Sequence, residues 1–232
     1  MRASPSLSSH GFSPSFYLHS QNLSDGSSAV FLQDECSLPL GHGESPVTLT
    51  DPARLLLDAP RIDRILRRMA HEILERNQGP AGLYLVGILE GGDPLSRRLA
   101  DLIESFEGVR PPSGALDVTL YRDDLSGREE LPLLRQSHLP LSIDGKKIVL
   151  VDDVLFTGRT VRAAMDFLVD FGRPARIMLA VLVDRGHREL PIRADFVGKN
   201  LPTAHEEKVL VDLTPGSESV TVVRPSSGDL HA

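Results

Sequence analysis

Two adjacent carboxylates, Asp152 and Asp153, end the apolar run Lys147-Ile148-Val149-Leu150-Val151, and Val154-Leu155-Phe156-Thr157-Gly158-Arg159-Thr160 follows at once. A short apolar run between polar flanks reads as a buried parallel strand. In open α/β sheets, ligands gather at the carboxyl ends of such strands. Paired carboxylates at that place accept hydrogen bonds from sugar hydroxyls. The loop beyond them is small and hydroxyl-bearing and opens into a helix, whose free N–H groups and positive dipole end favour an anion. Thr157 and Thr160 add hydroxyls, and Gly158 lets the backbone come close. The strand end therefore reads as a ribose clamp beside a phosphate clamp. The plainer alternative is that the carboxylates only cap a helix and Thr157-Gly158 makes an ordinary turn. Neither G-x-x-x-x-G-K-[ST] nor a G-x-G-x-x-G after a strand is present, so a Walker loop and a dinucleotide fingerprint are excluded.

The elements that must position this stretch alternate. A helix is expected over Arg61–Arg76, with Asp58 as cap, Pro60 in the first turn, and Ile62, Ile65, Leu66, Met69, Ile73 and Leu74 on its inner face. Strands are expected at Leu83–Leu89, Asp117–Tyr121, Lys147–Val151, Arg176–Val183, Asp195–Val197, Lys208–Asp212 and Val220–Val223. Further helices are expected at Leu95–Phe106 and Arg159–Phe171, and a long polar loop over 122–145. Strands alternating with helices imply an α/β fold, a mainly parallel sheet flanked by helices.

Composition sets the outer bounds. With 232 residues, 41% of them hydrophobic, the chain suits one packed domain with tails. Its single cysteine, Cys36, excludes an internal disulfide and a thiolate zinc site. No apolar stretch reaches 18 residues and no signal-peptide pattern opens the chain, so no membrane association and a cytoplasmic location are expected. The net charge of −7 argues against binding nucleic acid through the whole surface. It leaves room for a local patch. Arg64, Arg67, Arg68 and His71 recur at helical spacing on one side of the first helix. A solvated face partnered by Glu72 and Glu75 is the simpler reading of that stripe alone. Residues 1–45, rich in Ser, Gly and Pro, are expected to be disordered or an N-terminal extension that is not translated, with the start near Val47 or Leu49. A domain is expected over 47–213, and a strand and tail over 214–232.

Ile148–Thr160 resembles the phosphoribosyl-pyrophosphate (PRPP) signature of type I phosphoribosyltransferases. Leu182–Asp195, Leu120–Leu125 and Gly198–Thr203 extend the likeness. Together they resemble the bacterial pyrimidine-operon attenuation regulators with uracil phosphoribosyltransferase activity, over roughly Leu55 to Leu213.

The resemblance implies a type I phosphoribosyltransferase fold with a small hood, forming a homodimer or homotetramer. It implies conversion of uracil and PRPP to UMP and diphosphate, with Mg²⁺ bound mainly through PRPP. It also implies binding of pyr operon leader RNA when UMP or UTP is present. Asp152 and Asp153 would hold the ribose hydroxyls, Val154, Leu155, Phe156, Thr157, Gly158, Arg159 and Thr160 the 5′-phosphate, and Arg122 would lie near the pyrophosphate. Arg185, His187 and Val209 would line the uracil side, while Arg67, Arg68, His71, Arg188, Arg193 and Lys199 would face RNA. The chain departs from the pattern where a Thr-Arg-Gly turn usually grips pyrophosphate. Glu90 and Gly91 stand at the Thr and Arg positions, which puts a carboxylate beside the pyrophosphate and removes a cation. A nucleotide-sensing RNA regulator with little catalysis, or a salvage enzyme for another base, are the alternatives.

Overall fold

The computed structural model of the protein describes residues 53–119 and 137–224. The segment 1–45, Cys36, the motif Leu120–Leu125 and Arg122 lie outside the described residues. The elements run β1 (Arg54–Asp58), α1 (Ala59–Asn77), β2 (Leu83–Ile88), α2 (Gly92–Glu107), β3 (Ser113–Leu116), β4 (Lys147–Leu155), α3 (Arg159–Phe171), β5 (Arg176–Asp184), β6 (Phe196–Asn200), β7 (Lys208–Asp212) and β8 (Ser219–Val223).

Five strands form a parallel sheet in the order β3-β2-β4-β5-β6. Period-two alternation splits their side chains between two cores. Leu83, Leu85, Val149, Val151, Met178, Ala180 and Leu182 meet Leu66 and Met69 of α1 and Leu95 and Leu99 of α2 on one face. Tyr84, Val86, Ile148, Leu150, Leu179 and Val181 meet Val161, Ala164 and Leu168 of α3 on the other. The direction of sheet growth reverses between β2 and β4, so the loops after these two strands flank a topological switch point.

The helices follow their chemistry. Asp58 Oδ1 accepts the Arg61 N–H at 3.0 Å, Pro60 stands in the first turn of α1, and Gln78 ends it in a left-handed conformation (φ 61°). α3 runs from Arg159 to Phe171 as its periodicity predicts.

A second sheet of three antiparallel strands, in the order β1-β8-β7, forms the hood. The strand expected at Val220–Val223 is its central member, with Val220 and Val222 buried against the α1 and α2 core. β1 was not expected. Its run Leu55-Leu56-Leu57 is too short to show a period beside the helix it precedes.

One strand departs from expectation. Asp117–Tyr121 does not form a strand through Thr119, the last described residue before the gap; β3 lies at Ser113–Leu116, where Leu85–Ile88 of β2 pair with it. The Asp117 carboxylate accepts the Thr119 N–H at 2.9 Å and its hydroxyl at 2.5 Å, an Asx turn that bends the chain away from the ladder. β4 also runs four residues further than expected. β5 pairs alongside it from Asp152 to Leu155, so the two carboxylates stand within the ladder.

Gly92 sits where the first turn of α2 crosses β4, and a Cβ there would run into the Val151 carbonyl oxygen. Gly92→Ala is therefore expected to cost about 1–3 kcal/mol and to lower Tm by roughly 2–12 °C in a thermal scan. An unchanged Tm would contradict so close a crossing.

Candidate functional site

The chain after β4 supplies the first half of the site. Gly158 has φ 95°, which only glycine adopts without strain. It caps α3 with no side-chain hydrogen bond to the helix N-terminus. Thr157 Oγ1 takes the Arg159 N–H only through a long 3.4 Å bond, so this helix start is suited to an anion. Thr157 and Thr160 are half-buried beside them. The Arg159 side chain leans away to Glu189, with Nε at 2.7 Å from its carboxylate.

Just before this loop, Asp152 is 7% exposed. Its Oδ1 accepts the Asp153 N–H at 3.0 Å, and Asp153 Oδ1 accepts the Val154 N–H at 2.7 Å. Burial pushes the Asp153 carboxyl above the usual carboxylate range; the Val154 N–H and a hydrogen bond with Asp152 act against that.

The loop after β2 supplies the opposing wall. Leu89–Glu90 is a cis peptide bond. The Gly91 backbone lies so close to Asp153 that a Cβ at 91 would meet its carboxylate. Glu90, Gly91, Pro94, Asp153, Val211, Leu213 and Thr214 line a cavity of about 470 Å³. Val211 and Leu213 of the hood supply its apolar lining. Val209, expected with Arg185 and His187 on the uracil side, shares a side of β7 with Val211 and packs against the core.

A second cavity, about 400 Å³, is lined by Asp184–His187 and Asn200–Thr203. Arg185 is buried beside it, and its guanidinium lies 4.0 Å from the Phe156 ring centroid. That guanidinium donates to Thr203 Oγ1, Ala204 O and His205 O at 3.1–3.2 Å. Burial draws the Arg185 pKa below its ordinary value, while Glu207 pulls it up. His187 Nε2 donates to Thr203 O (2.6 Å), and His187, His205 and Phe156 meet edge to face. His205 carried no spacing or motif that marked it in advance; only the return of the chain after β6 brings it to Phe156.

The basic residues separate into two groups. Arg68 donates to Val197 O and Gly198 O at 3.0 and 2.7 Å, which seats α1 on β6. Arg67 pairs with Asp63, and His71 stacks on Phe106 at 4.1 Å. Leu57, Arg61, Arg64, Ile65, Arg68, Gly198 and Lys199 line a third cavity of about 430 Å³, rich in cations. Arg193 and Lys199 are exposed. Arg188 stands apart. Its guanidinium donates to four carbonyl oxygens and pairs with Asp184 at 2.6 Å, so it is spent on the loop that carries it.

A parallel sheet with a hood, and a carboxylate pair followed by an open helix N-terminus at the switch point, define a type I phosphoribosyltransferase domain. The phosphoribosyl transferase domain family matches residues 54–211. A bifunctional protein PyrR of Chloroflexus aurantiacus is 59% identical over 176 residues, 75% of this chain and 97% of that one. Those of Deinococcus radiodurans (53%, 76% of this chain and 98% of that one) and Thermus thermophilus (58%, 71% and 92%) are similarly near. The hypoxanthine phosphoribosyltransferase of Trypanosoma cruzi shares the fold, with a TM-score of 0.57 at 22% identity over 74% of this chain and 97% of that one. The chain belongs to the bifunctional PyrR family of phosphoribosyltransferases.

Asp153 gives a test with a worked sign. Its pKa is raised on folding, so its ionisation opposes the fold as pH rises through that raised value. Asp153→Asn removes this cost and keeps the acceptor for Val154. Its Tm is expected to exceed that of the wild type at pH 7–8, with the gap closing towards pH ~4, while affinity for ribose 5-phosphate falls about tenfold or more. Thermal scans across pH and a titration check both; a lower Tm at neutral pH contradicts the burial cost.

Proposed function

We propose that the chain transfers the phosphoribosyl group of PRPP to uracil, forming UMP and diphosphate, and binds pyr operon leader RNA when UMP or UTP fills the same site, so promoting transcription attenuation. The observation that carries this reading is the carboxylate pair of β4 beside the open N-terminus of α3. Asp152 and Asp153 accept from the ribose hydroxyls, and the amides and hydroxyls of 156–160 take the 5′-phosphate. Uracil lies towards Arg185 and His187, beside the Phe156 platform.

In the reaction, a nitrogen of uracil bonds to the anomeric carbon as the bond to diphosphate breaks. Catalysis by this chain comes from holding the partners in line and stabilising developing charge. Mg²⁺ prefers phosphate oxygens and waters with one or two carboxylates. Among the described residues no group of three or more His, Cys, Asp or Glu could hold a metal ion by itself. That fits a Mg²⁺ that would be carried mainly by PRPP, with Asp152 and Asp153 as the nearby carboxylates, and would supply charge neutralisation to the leaving diphosphate.

RNA falls to the face made by Arg67, Arg68, His71, Arg193 and Lys199, with the cationic cavity over α1 as its centre. Such phosphate contacts weaken steeply with salt. The working unit is the domain over 47–213 together with the hood strand of the 214–232 tail, as a homodimer or homotetramer. A cytoplasmic site of action fits its substrates, and among the described residues no helix is long and apolar enough to cross a membrane.

Glu90 lowers the affinity for PRPP by repelling its pyrophosphate. UMP formation from uracil, PRPP and Mg²⁺ tests the reading; turnover of hypoxanthine or guanine without uracil would overturn it. Glu90→Lys is expected to raise kcat/KM for PRPP, one charge-assisted contact being worth roughly 10- to 150-fold. A restored arginine at 91 is a poorer test, because Asp153 occupies the space its Cβ needs. An unchanged KM for PRPP in Glu90→Lys contradicts the repulsion.

A further inference from the structure

Arg188 does something in this structure that a surface cation does not. Nη1 donates to Leu155 O at 3.3 Å, to Phe156 O at 2.7 Å and to Gly186 O at 3.0 Å, while Nε donates to Ile192 O at 3.0 Å. Nη2 meets the Asp184 carboxylate at 2.6 Å. The same loop reaches the next peptide: the N–H groups of Glu189 and Leu190 both donate to Thr157 O, at 3.0 and 3.2 Å. Leu190 and Ile192 also lie in ordinary contact distance of the space beside Gly158.

A peptide group is planar, and in its trans form the N–H points opposite to the C=O. Fixing Leu155 O therefore fixes Phe156 N–H. Fixing Phe156 O fixes Thr157 N–H, and fixing Thr157 O fixes Gly158 N–H. The segment 186–192 thus holds three consecutive amides of the phosphate loop from behind. The same segment leads into the exposed Arg193.

We infer that segment 186–192 is the mechanical link between the nucleotide site and the RNA face, and that Arg188 is its positioning residue rather than an RNA contact. This rests on the RNA-binding reading above. A 5′-phosphate on the amides favours the conformation of 155–158 in which the carbonyls meet Arg188. That in turn favours the conformation of 186–193 that presents Arg193. Coupling of this kind is reciprocal, so RNA tightens UMP binding by the same factor that UMP tightens RNA binding.

The test measures the affinity of the full chain for a labelled hairpin from its host's pyr operon leader, with and without saturating UMP, over a range of salt. Coupling in the wild type is expected at roughly 5- to 150-fold. In Arg188→Gln the coupling factor falls to near one, and the slope of log affinity against log salt stays at the wild-type value. Arg193→Gln does the converse: the slope falls by about one unit and the coupling factor is kept. Should Arg188→Gln fail to fold, Glu189→Ala breaks the exposed tie to Arg159 (2.7 Å) and is expected to lower the coupling factor as well. A retained coupling factor with a slope reduced by about one in Arg188→Gln would make Arg188 a phosphate contact and overturn the inference. So would unchanged coupling in both folded variants. A wild type that binds UMP but no hairpin defeats the RNA reading itself.

Discussion

A backbone can hold a phosphate only if something else holds the backbone. The carbonyls of Leu155, Phe156 and Thr157, in the loop that leads to α3, turn to a neighbouring segment that must satisfy them. Here the neighbour is 184–192, which gives Arg185 N–H to Leu155 O and Glu189 and Leu190 N–H to Thr157 O. β4 and β5 stay paired to Leu155 and Asp184, so the two loops leave the sheet side by side. The ligand site is therefore a consequence of how far that ladder extends.

The same geometry explains the cost carried by Asp153. Its carboxylate must reach the mouth of the site, yet the Gly91 backbone presses on it and the hood closes above with Val211 and Leu213. Burial then opposes its charge. A ribose hydroxyl that donates to it returns part of what desolvation took away. On the proposed reading this stability cost falls on a ligand-binding group, a common balance in binding sites. Glu90, standing on the facing wall, adds a second carboxylate to the same cavity.

Much of this was legible in the residues. The Lys147–Thr160 stretch carries strand, carboxylates, turn and helix start in one continuous string, and each local preference agrees with the fold. α1 and α3 follow their apolar spacing, because long amphipathic helices show their period clearly. β3 was misplaced because Val118 and Thr119 look like strand residues, whereas the ladder is set by the register of β2 and ended by the Asp117 turn. β1 and the central place of β8 depend on pairing between chain ends more than 150 residues apart, which no local window contains. The role of Arg188 was equally hidden. A charge within an arginine-rich segment reads as surface, and only the fold shows four carbonyls converging on it.

Amide hydrogen exchange with and without UMP tests most directly whether the phosphate loop and the segment behind it are one unit. The account predicts that UMP slows exchange at 156–160 and at 186–192 together, in the same concentration range. Protection confined to 156–160, with 186–192 unchanged, would contradict it.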